Sequence, residues 1–263
     1  MGGPIGPPTY LANRLMGTFE RRSVDRYLAV SQATATGNGL LPGGEIDYQV
    51  IPNFLPDDFD ARPAGGHPLA RQLPEDGYLL FVGDLSRDKG VPVLLEAYAG
   101  LEEPPPLVLI GRRTETTPDR LPPNVRLFDG WPHPAVLEAW ERSRIALVPS
   151  VWPEPFGIVS IEAMAAGKPV IASKIGGLPD IVVDGETGLL VEPGSTLDLR
   201  RAMQCLLEHP DLGAELGRAG QRRVERFRAR QVVPQIEQVY RELVEIVPEN
   251  QAQGGHAGYG EAA

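Results

Sequence analysis

The sequence predicts an α/β protein with a doubly wound, Rossmann-like parallel sheet, and three observations support this. From about Tyr78 onward, short β-rich runs alternate with segments of helical periodicity. Segments of helix length between strands are the crossover connections that parallel strands require. Glycine followed by proline, as at Gly167 and Pro169, marks a helix stop. At 263 residues the chain is long enough for one large domain or slightly more.

Six strands are predicted in the part of the chain that begins at Tyr78. In chain order they read YLLFVG, PLVLIG, VRLFDG, IALVPS, PVIAS and LLVEP. Two further strand-like runs, YLAVS and DYQVIPN, lie in the first fifty residues, after a predicted helix over 9–25. Because two strands are marginal without further strands or a helix layer, these runs either extend the main sheet or are the remnant of another domain.

The helix after the first strand of the main sheet is defined by its apolar spacing. Val91, Leu94, Leu95 and Tyr98 recur at i, i+3, i+4 and i+7, which places them on one helical face. Pro92 lies in the first turn, where proline is tolerated. Further helices are predicted over 134–143, 158–166 and 196–208.

The C-terminal region predicts one more helix and a tail. Apolar residues from Val232 to Val247 follow a helical stripe over about four turns. The last sixteen residues have little apolar content and no period, so a disordered tail is predicted over 248–263. Six arginines between Arg218 and Arg230 are interpreted as a solvated face, with a contact to an anionic partner as the alternative.

Charge and composition exclude several classes of function. The chain carries 25 basic and 35 acidic residues, a net charge of -10, which disfavours binding to nucleic acid or to an anionic membrane. The single cysteine, Cys205, cannot form an intramolecular disulfide, and we expect a cytoplasmic location. We find no secretory leader and no apolar stretch of roughly 20 residues, so we expect a soluble or at most peripheral membrane protein. The four histidines lack metal-ligand spacing, and no metal site is predicted.

The segment E-P-F-G-I-V-S-I-E carries two carboxylates, Glu154 in a loop and Glu162 in a helix. Glu162 follows Ile158 by four residues and Ile161 by one, so it shares the inward apolar face of that helix. A buried carboxylate needs a partner. Sugar hydroxyls are suitable donors, and a lysine or arginine at the helix edge is the alternative.

The turn V-G-D-L-S-R-D-K-G-V-P joins the first strand of the main sheet to its helix. A helix N-terminus at the carboxyl end of a parallel strand binds phosphate groups. Lys89 and Arg87 would add positive charge, whereas an ordinary surface turn is the alternative interpretation. The sequence contains neither a G-x-G-x-x-G at this turn nor a P-loop, which argues against a dinucleotide oxidoreductase and a P-loop enzyme.

A Gly-Gly pair in S-K-I-G-G-L-P-D follows the PVIAS strand. Glycines permit close approach of the backbone to a ligand, although such a pair is more often only a turn.

The order of these segments is the specific feature of the sequence. It runs from I-P-N at Ile51 through F-V-G-x-L-S-x-x-K-G, L-I-G and P-S to E-P-F-G-x-x-x-x-E-A-M-A-x-G-x-P-V-I-A-S, G-G-x-P-D and D-G-x-T-G-L-L-V. Over about 200 residues this series resembles the C-terminal half of the GT-B-fold retaining glycosyltransferases of the group 1, or family 4, type. The resemblance implies transfer of a hexosyl unit from a nucleotide sugar to an acceptor with retention of configuration. It implies no metal and no cofactor besides the nucleotide-diphosphate sugar.

The resemblance also implies roles for individual residues. Lys89 would contact the donor diphosphate, Glu162 would hold the ribose hydroxyls and Glu154 would face the donor sugar. The developing charge on the leaving diphosphate would be stabilised by fixed cations and amides. Lys89 and Glu154 are the catalytic candidates. The candidate donor-binding residues are Gly83, Arg87, Lys89, Gly111, Arg112, Trp131, Glu154, Phe156, Gly157, Ile158 and Glu162.

Within that set, two groups have distinct implied roles. The backbone amides near Phe156, Gly157 and Ile158 would complete the sugar and phosphate contacts. The loop around Gly111, Arg112 and Trp131 would lie near the nucleobase.

The sequence departs from the family pattern at two residues. Asp84 stands where the family usually has an arginine, so an anion replaces one phosphate contact unless Arg87 or Arg112 compensates. Phe54 follows I-P-N where the family has glycine, which changes the usual turn on the base side.

The larger departure is length, because the family's N-terminal acceptor domain should precede this region. We therefore predict that 1–52 is a remnant of that domain, 53–229 the nucleotide-sugar-binding domain and 230–247 a bracing helix before the tail. A truncated chain or one partner of a split enzyme would explain the difference. Self-association, or a partner chain that supplies the missing domain, is expected.

Two rival functions remain open from the sequence. One is a catalytically silent nucleotide-sugar-binding module or partner subunit, which Asp84 favours. The other is a nucleotide-sugar epimerase of the same architecture, which needs no acceptor. The identity of the sugar, the base and the acceptor is not encoded in a recognisable pattern.

Overall fold

The computed structural model describes residues 23–59, 66–118 and 120–246. The chain divides into two compact units, one formed by 26–232 and the other containing the described residues 23–25 and 233–246. Most of the helix predicted over 9–25, and all of the predicted tail, lie outside the described residues. Among the described residues, no helix combines the length and apolar character needed to cross a bilayer.

The described strands form two separate sheets. The smaller sheet has two parallel strands, β1 (Tyr27–Ala29) and β2 (Tyr48–Val50). The larger sheet has six strands: β3 (Leu79–Val82), β4 (Leu107–Ile110), β5 (Val125–Phe128), β6 (Ile145–Val148), β7 (Val170–Ser173) and β8 (Gly188–Val191). Their order is β5-β4-β3-β6-β7-β8 and every neighbouring pair is parallel. The six strands and the doubly wound fold class predicted from the sequence are thereby confirmed.

The helices follow the amphipathic patterns of the sequence. They are α1 (Gln32–Gly37), α2 (Val91–Ala99), α3 (His133–Arg142), α4 (Ile158–Ala165), α5 (Leu178–Ile181), α6 (Thr196–Glu208), α7 (Pro210–Val224) and α8 (Ala229–Ile246). A short 3₁₀ helix covers Pro68–Gln72. The predicted helix that carries Val91 to Tyr98 corresponds to α2. The helices predicted over 134–143, 158–166 and 196–208 correspond to α3, α4 and α6, each within one residue at either end. The helix α8 matches the predicted C-terminal stripe.

Both faces of the larger sheet are buried. Neighbouring residues of one strand show this, because successive side chains point to opposite sides of the sheet. In β3, Leu80 belongs to the cluster that contains Trp140 of α3 and Ile161 of α4. Its neighbours Leu79 and Phe81 belong to the cluster that contains α2 and α6 side chains. Helices therefore cover the sheet on both sides, as a doubly wound fold requires.

The segment that precedes the larger sheet does not extend it, which settles one alternative left open by the sequence. Ala29, Ala35 and Leu40 form a small core of their own beneath β1 and β2. The helix α1 contacts the loop after β6 and the helix α5. The Thr34 hydroxyl donates to the Pro155 carbonyl at 3.0 Å, and the Gln32 amide donates to Oδ2 of Asp180 at 2.9 Å. The predicted domain boundaries remain a prediction.

The strand order creates a topological switch point between β3 and β6. From β3 the chain winds outward to β4 and β5, then returns to β6 on the other side of β3. Ligands of open α/β sheets bind at the carboxyl ends of the strands at such a point. Here the two turns touch: the Val151 amide donates to the Asp88 carbonyl at 2.9 Å. At Gly90 a Cβ would lie 1.9 Å from the Pro149 carbonyl oxygen, so only glycine fits.

Candidate functional site

The turn after β3 and the loop after β6 each contribute a charged side chain at the switch point. The Lys89 ammonium donates to Oε1 of Glu154 at 2.6 Å, and the Ser150 hydroxyl donates to the same oxygen at 2.6 Å. Glu154 is 8% exposed, whereas 39% of the Lys89 side chain is exposed. Oε2 of Glu154 makes no hydrogen bond to the described residues, so it is available as an acceptor.

The backbone of Glu154 is fixed by the Gly-Gly pair. The Gly177 amide donates to the Glu154 carbonyl at 2.7 Å. At Gly176, with φ of +59°, a Cβ would lie 2.3 Å from that carbonyl oxygen. These glycines therefore permit the approach of one loop to another. The described close approach is to the E-P-F-G backbone, and an approach of these glycines to a ligand stays a prediction.

The helix α4 begins directly after this loop. Its N-cap residue, Gly157, has a φ of 106° and contributes no side-chain cap. The Ser160 hydroxyl in the first turn is fully buried and has no hydrogen-bond partner among the described residues. Phe156 is buried, and its ring lies 5.7 Å from that of Phe227, so its side chain is not available to a ligand. Ile158 is exposed at the helix start.

Glu162 lies one turn further along α4 and is buried, as its spacing predicted. His133 Nε2 lies 2.9 Å from Oε1 of Glu162, and Trp140 Nε1 donates to Oε2 at 3.4 Å. Because a carboxylate only accepts, the His133 ring donates in this contact. The alternative partner for this carboxylate, a lysine or arginine at the helix edge, is therefore wrong. Both protein partners come from α3.

A pocket of about 390 Å³ lies at the carboxyl ends of β3, β4 and β5. Four candidate residues line it together, along with two aspartates: Gly83, Asp84, Gly111, Arg112, Asp129 and Trp131. The Trp131 ring lies against Phe128 at 4.6 Å. The neighbouring turns are in direct contact, because a Cβ on Gly111 would lie 1.8 Å from the Gly83 carbonyl oxygen.

Asp84 and Arg112 form an ion pair at this pocket. Nη2 of Arg112 donates to Oδ2 of Asp84 at 2.7 Å, and Nε donates to Oδ1 at 3.3 Å. The hydrogen bond and the charge of Asp84 both raise the pKa of the Arg112 guanidinium above its ordinary value. The anion at position 84 is thus neutralised by the arginine of the next loop.

Arg87 stands apart from these contacts. Its side chain is exposed and makes no hydrogen bond or ion pair with the described residues. Its backbone amide donates to the Thr116 hydroxyl at 3.0 Å, which ties the turn after β3 to the loop after β4. The structure therefore brings Lys89 and Glu154 together, and Gly83, Gly111, Arg112 and Trp131 together. It places Glu162 against α3.

Sequence reasoning missed three side chains that contact the candidate carboxylates. Ser150 precedes Glu154 by four residues in the P-S that ends a predicted strand. His133 and Trp140 are seven residues apart, which is two turns on one face of α3. That spacing was a usable signal, because it places two donors beside the helix that carries a buried acid.

The chain resembles proteins of known family. Residues 70–223 match the model of the glycosyl transferases group 1 family. The D-inositol 3-phosphate glycosyltransferase of Corynebacterium aurimucosum is 32% identical over 202 residues, which cover 71% of this chain and 47% of that protein. The chain thus spans about half the length of the curated relatives it matches.

Two solved structures share the fold. The sucrose-phosphate synthase of Thermosynechococcus elongatus has a TM-score of 0.74 and 29% identity, over 90% of this chain and 63% of that one. Anabaena HepE, in a crystal structure with UDP-glucose, has a TM-score of 0.73 and 25% identity, over 93% of this chain and 71% of that one. With the family model matching more than half of the chain, and with a six-stranded parallel sheet like that of these structures, the chain belongs to the glycosyl transferases of group 1.

Proposed function

We propose that this chain supplies the donor site of a retaining glycosyltransferase that transfers a hexosyl unit from a nucleotide sugar to an acceptor. The observation that supports the proposal best is the contact between Lys89 and Glu154 at the switch point of the sheet. It combines a partly exposed cation for phosphate with a carboxylate that keeps one oxygen free for a sugar hydroxyl. HepE, a structural neighbour, has a crystal structure with UDP-glucose.

The start of α4 supports a place for the donor phosphates. The first amides of a helix have no partner within the helix and carry a partial positive charge. Gly157 leaves these amides without a side-chain cap. The buried Ser160 hydroxyl in the same turn, which no other described residue bonds, offers a further donor. A diphosphate placed here would also be within the field of the Lys89 ammonium.

The chemistry proposed for these groups is electrostatic. As the bond from the anomeric carbon to the diphosphate lengthens, negative charge accumulates on the leaving oxygens. Lys89 and the amides at the start of α4 would stabilise that charge without reorganising, which is a large effect in a water-poor site. Glu154 would hold the sugar in position through its free oxygen. We propose that no metal ion is required, since fixed groups of the chain supply the positive charge.

The nucleoside would occupy the pocket beside Trp131, with its ribose directed toward Glu162. The pocket volume of about 390 Å³ is of the size that small-ligand sites have. We propose a cytoplasmic enzyme, since nucleotide sugars are the substrates and Cys205 is the single cysteine.

Isothermal titration with UDP, GDP and ADP, alone and as sugar conjugates, tests the donor site. Measurable affinity for at least one diphosphate, tighter than for the matching monophosphate, is the expected result. Absence of binding by all of them would remove the assignment. The anomeric configuration of the product, measured by NMR, tests retention. Unchanged turnover in EDTA tests the absence of a metal requirement.

A catalytically silent nucleotide-sugar-binding module is the second candidate, and the Asp84–Arg112 pair favours it. The pair neutralises a guanidinium at the pocket edge that would otherwise be available to the diphosphate. This candidate predicts donor binding without turnover. Donor hydrolysis or transfer with added acceptor would exclude it, and conversion of the donor sugar without acceptor would instead indicate an epimerase.

A further inference from the structure

Glu162 is a buried carboxylate, and each of its two oxygens contacts a different side chain of α3. Oε1 lies 2.9 Å from His133 Nε2 and Oε2 lies 3.4 Å from Trp140 Nε1. The two partners differ in their surroundings, because Trp140 is fully buried and 57% of the His133 side chain is exposed. The indole is therefore fixed by the core, whereas the imidazole contacts Glu162 from the solvent side.

The His133 ring is held by more than its hydrogen bond. His133 is the first residue of α3, directly after the N-cap Pro132, so its backbone is fixed by the helix. The Phe59 ring lies 6.2 Å from the imidazole at an angle of 49°. A side chain that is restrained at both its backbone and its ring loses less conformational entropy on hydrogen bonding to a neighbour than a freely rotating one does.

The geometry leaves Glu162 with unused acceptor capacity. A carboxylate has about four lone-pair positions, and the two α3 donors occupy at most two of them. The donors also fix the rotation of the carboxylate plane, which an isolated glutamate side chain would sample freely. A carboxylate fixed in this way can accept hydrogen bonds from two adjacent hydroxyls without a further loss of its own side-chain entropy.

We propose that His133 is a positioning residue that orients the Glu162 carboxylate to accept hydrogen bonds from the 2′ and 3′ hydroxyls of the donor ribose. The inference rests on the proposed donor site and adds a residue whose role neither the sequence pattern nor the family match assigns. It gives His133 a function through Glu162, not through contact with the reacting atoms. A merely structural His133 would stabilise the fold without affecting how the site recognises ribose.

Discrimination between ribose and deoxyribose separates these two roles. We would measure dissociation constants for UDP, GDP and ADP and for the 2′-deoxy form of each, with the parent chain and with His133→Ala, His133→Leu and His133→Gln. The parent should bind its preferred ribonucleotide about tenfold more tightly than the deoxy form, which corresponds to one hydrogen bond to a charged group. His133→Ala should reduce this ratio to about twofold or less, and affinity for the deoxy form, which keeps its 3′ hydroxyl, should fall less than affinity for the ribonucleotide.

The remaining variants make the test specific. His133→Gln keeps a donor and should restore most of the ratio, whereas His133→Leu fills the space without a donor and should behave like His133→Ala. His209→Ala, at an exposed histidine that makes no side-chain cap bond, is the control and should match the parent. Thermal unfolding of each variant shows whether it is folded. If the alanine variant is unfolded, the leucine variant still tests the role of His133.

The outcomes distinguish this inference from the proposed function. A parent chain that binds none of the nucleotides overturns both. A parent that discriminates against the deoxy form, with the same ratio in His133→Ala and His133→Leu, overturns the role of His133 alone. Equal loss of affinity for both nucleotide forms would assign His133 to the structure of the pocket and would also overturn the inference.

Discussion

At the scale of single residues, the contact between Lys89 and Glu154 ties binding to local stability. Glu154 is nearly buried, and its Oε1 accepts from the ammonium and from Ser150. A buried carboxylate that loses a cationic partner keeps its desolvation penalty. The same lysine therefore supports the loop in the absence of donor and would contact the diphosphate in its presence.

Replacement of Lys89 by alanine should weaken UDP binding by about 1 to 3 kcal/mol, or about 5- to 150-fold, because a charge-assisted bond to phosphate is lost. Titration calorimetry checks this, with uridine as a second ligand whose affinity should change much less. Arg218→Ala, which removes an exposed cation of α7, is the charge control. Undiminished UDP affinity in a folded Lys89 variant would show that the phosphate site lies elsewhere.

Asp84 provides the opposite test, because it places an anion beside the proposed phosphates. Asp84→Asn should release Arg112 and tighten UDP binding by about 3- to 10-fold at low salt, and the gain should shrink as salt screens it. The matched control is Asp76→Asn, at an exposed aspartate just before the amino end of β3. Weaker binding by Asp84→Asn would mean that Asp84 contributes to the site directly.

At the scale of elements, the loops after β3 and β4 act as one unit. The Leu85 amide donates to the Arg112 carbonyl at 2.9 Å, which continues the ladder past the strand ends. The Thr117 hydroxyl donates to the Leu85 carbonyl at 2.6 Å, and Thr114 donates to the same oxygen at 3.1 Å. The pocket beside Trp131 therefore depends on the close contact of the two loops.

Gly111→Ala should break that contact. The new Cβ would lie 1.8 Å from the Gly83 carbonyl oxygen, at a φ of +157°, so the two loops must separate. We expect a loss of about 1 to 3 kcal/mol in the free energy of unfolding, measured by urea denaturation, together with weaker nucleotide binding. Gly37→Ala has open space for its Cβ and should be nearly neutral. A Gly111→Ala variant as stable as the Gly37→Ala variant would contradict this account.

At the scale of the whole molecule, the buried Tyr78 makes stability depend on alkaline pH. Its hydroxyl donates to the Ala139 carbonyl at 2.7 Å, and burial raises the pKa of the phenol well above its ordinary value of about 10. The folded state keeps the proton at a pH where the unfolded state releases it. The contribution of the protonated Tyr78 hydroxyl to the free energy of unfolding is therefore complete below about pH 10 and is lost as pH rises above it.

Tyr78→Phe should make the free energy of unfolding less sensitive to alkaline pH. Between pH 9 and pH 11 the parent should lose about 1.4 kcal/mol more than the variant, because one group titrates only in the unfolded state. At pH 8 the variant should be less stable by about 1 kcal/mol, since its hydrogen bond is gone. Urea denaturation at the three pH values measures both effects, and parallel pH profiles for the two proteins would refute the assignment.

The small sheet gives a prediction about association. Leu28, Leu41 and Phe54 are exposed on the segment that contains β1 and β2, and within the described residues each of these strands pairs only with the other. Exposed apolar side chains and unpaired edges favour association. Light scattering at micromolar concentration should show a dimer or larger species, which Leu28→Lys should disperse. A monomer that binds no exposed-surface dye would contradict this expectation.

The arginines near α7 show how tertiary structure changes an interpretation. Their charge and spacing predicted a solvated face. Arg218, Arg222, Arg226 and Arg230 are exposed as predicted. In contrast, Arg223 donates to the Ile181 and Asp180 carbonyls, and Arg228 donates to the Pro56 and Phe59 carbonyls. Sequence periodicity does not reveal these contacts, because the acceptors are backbone groups of distant loops.

The sequence alone determined the alternation of strands and helices, the burial of Glu162 and the family resemblance. These features are local, because apolar periodicity states which face of an element is buried and motif order persists without coordinates. Only the tertiary structure decided which charges meet: Lys89 with Glu154 across 65 positions, and Glu162 with His133 across 29. The strand order sets the first pairing, because β3 and β6 become neighbours only when the chain winds back across the sheet. The second pairing follows from the packing of α3 against α4.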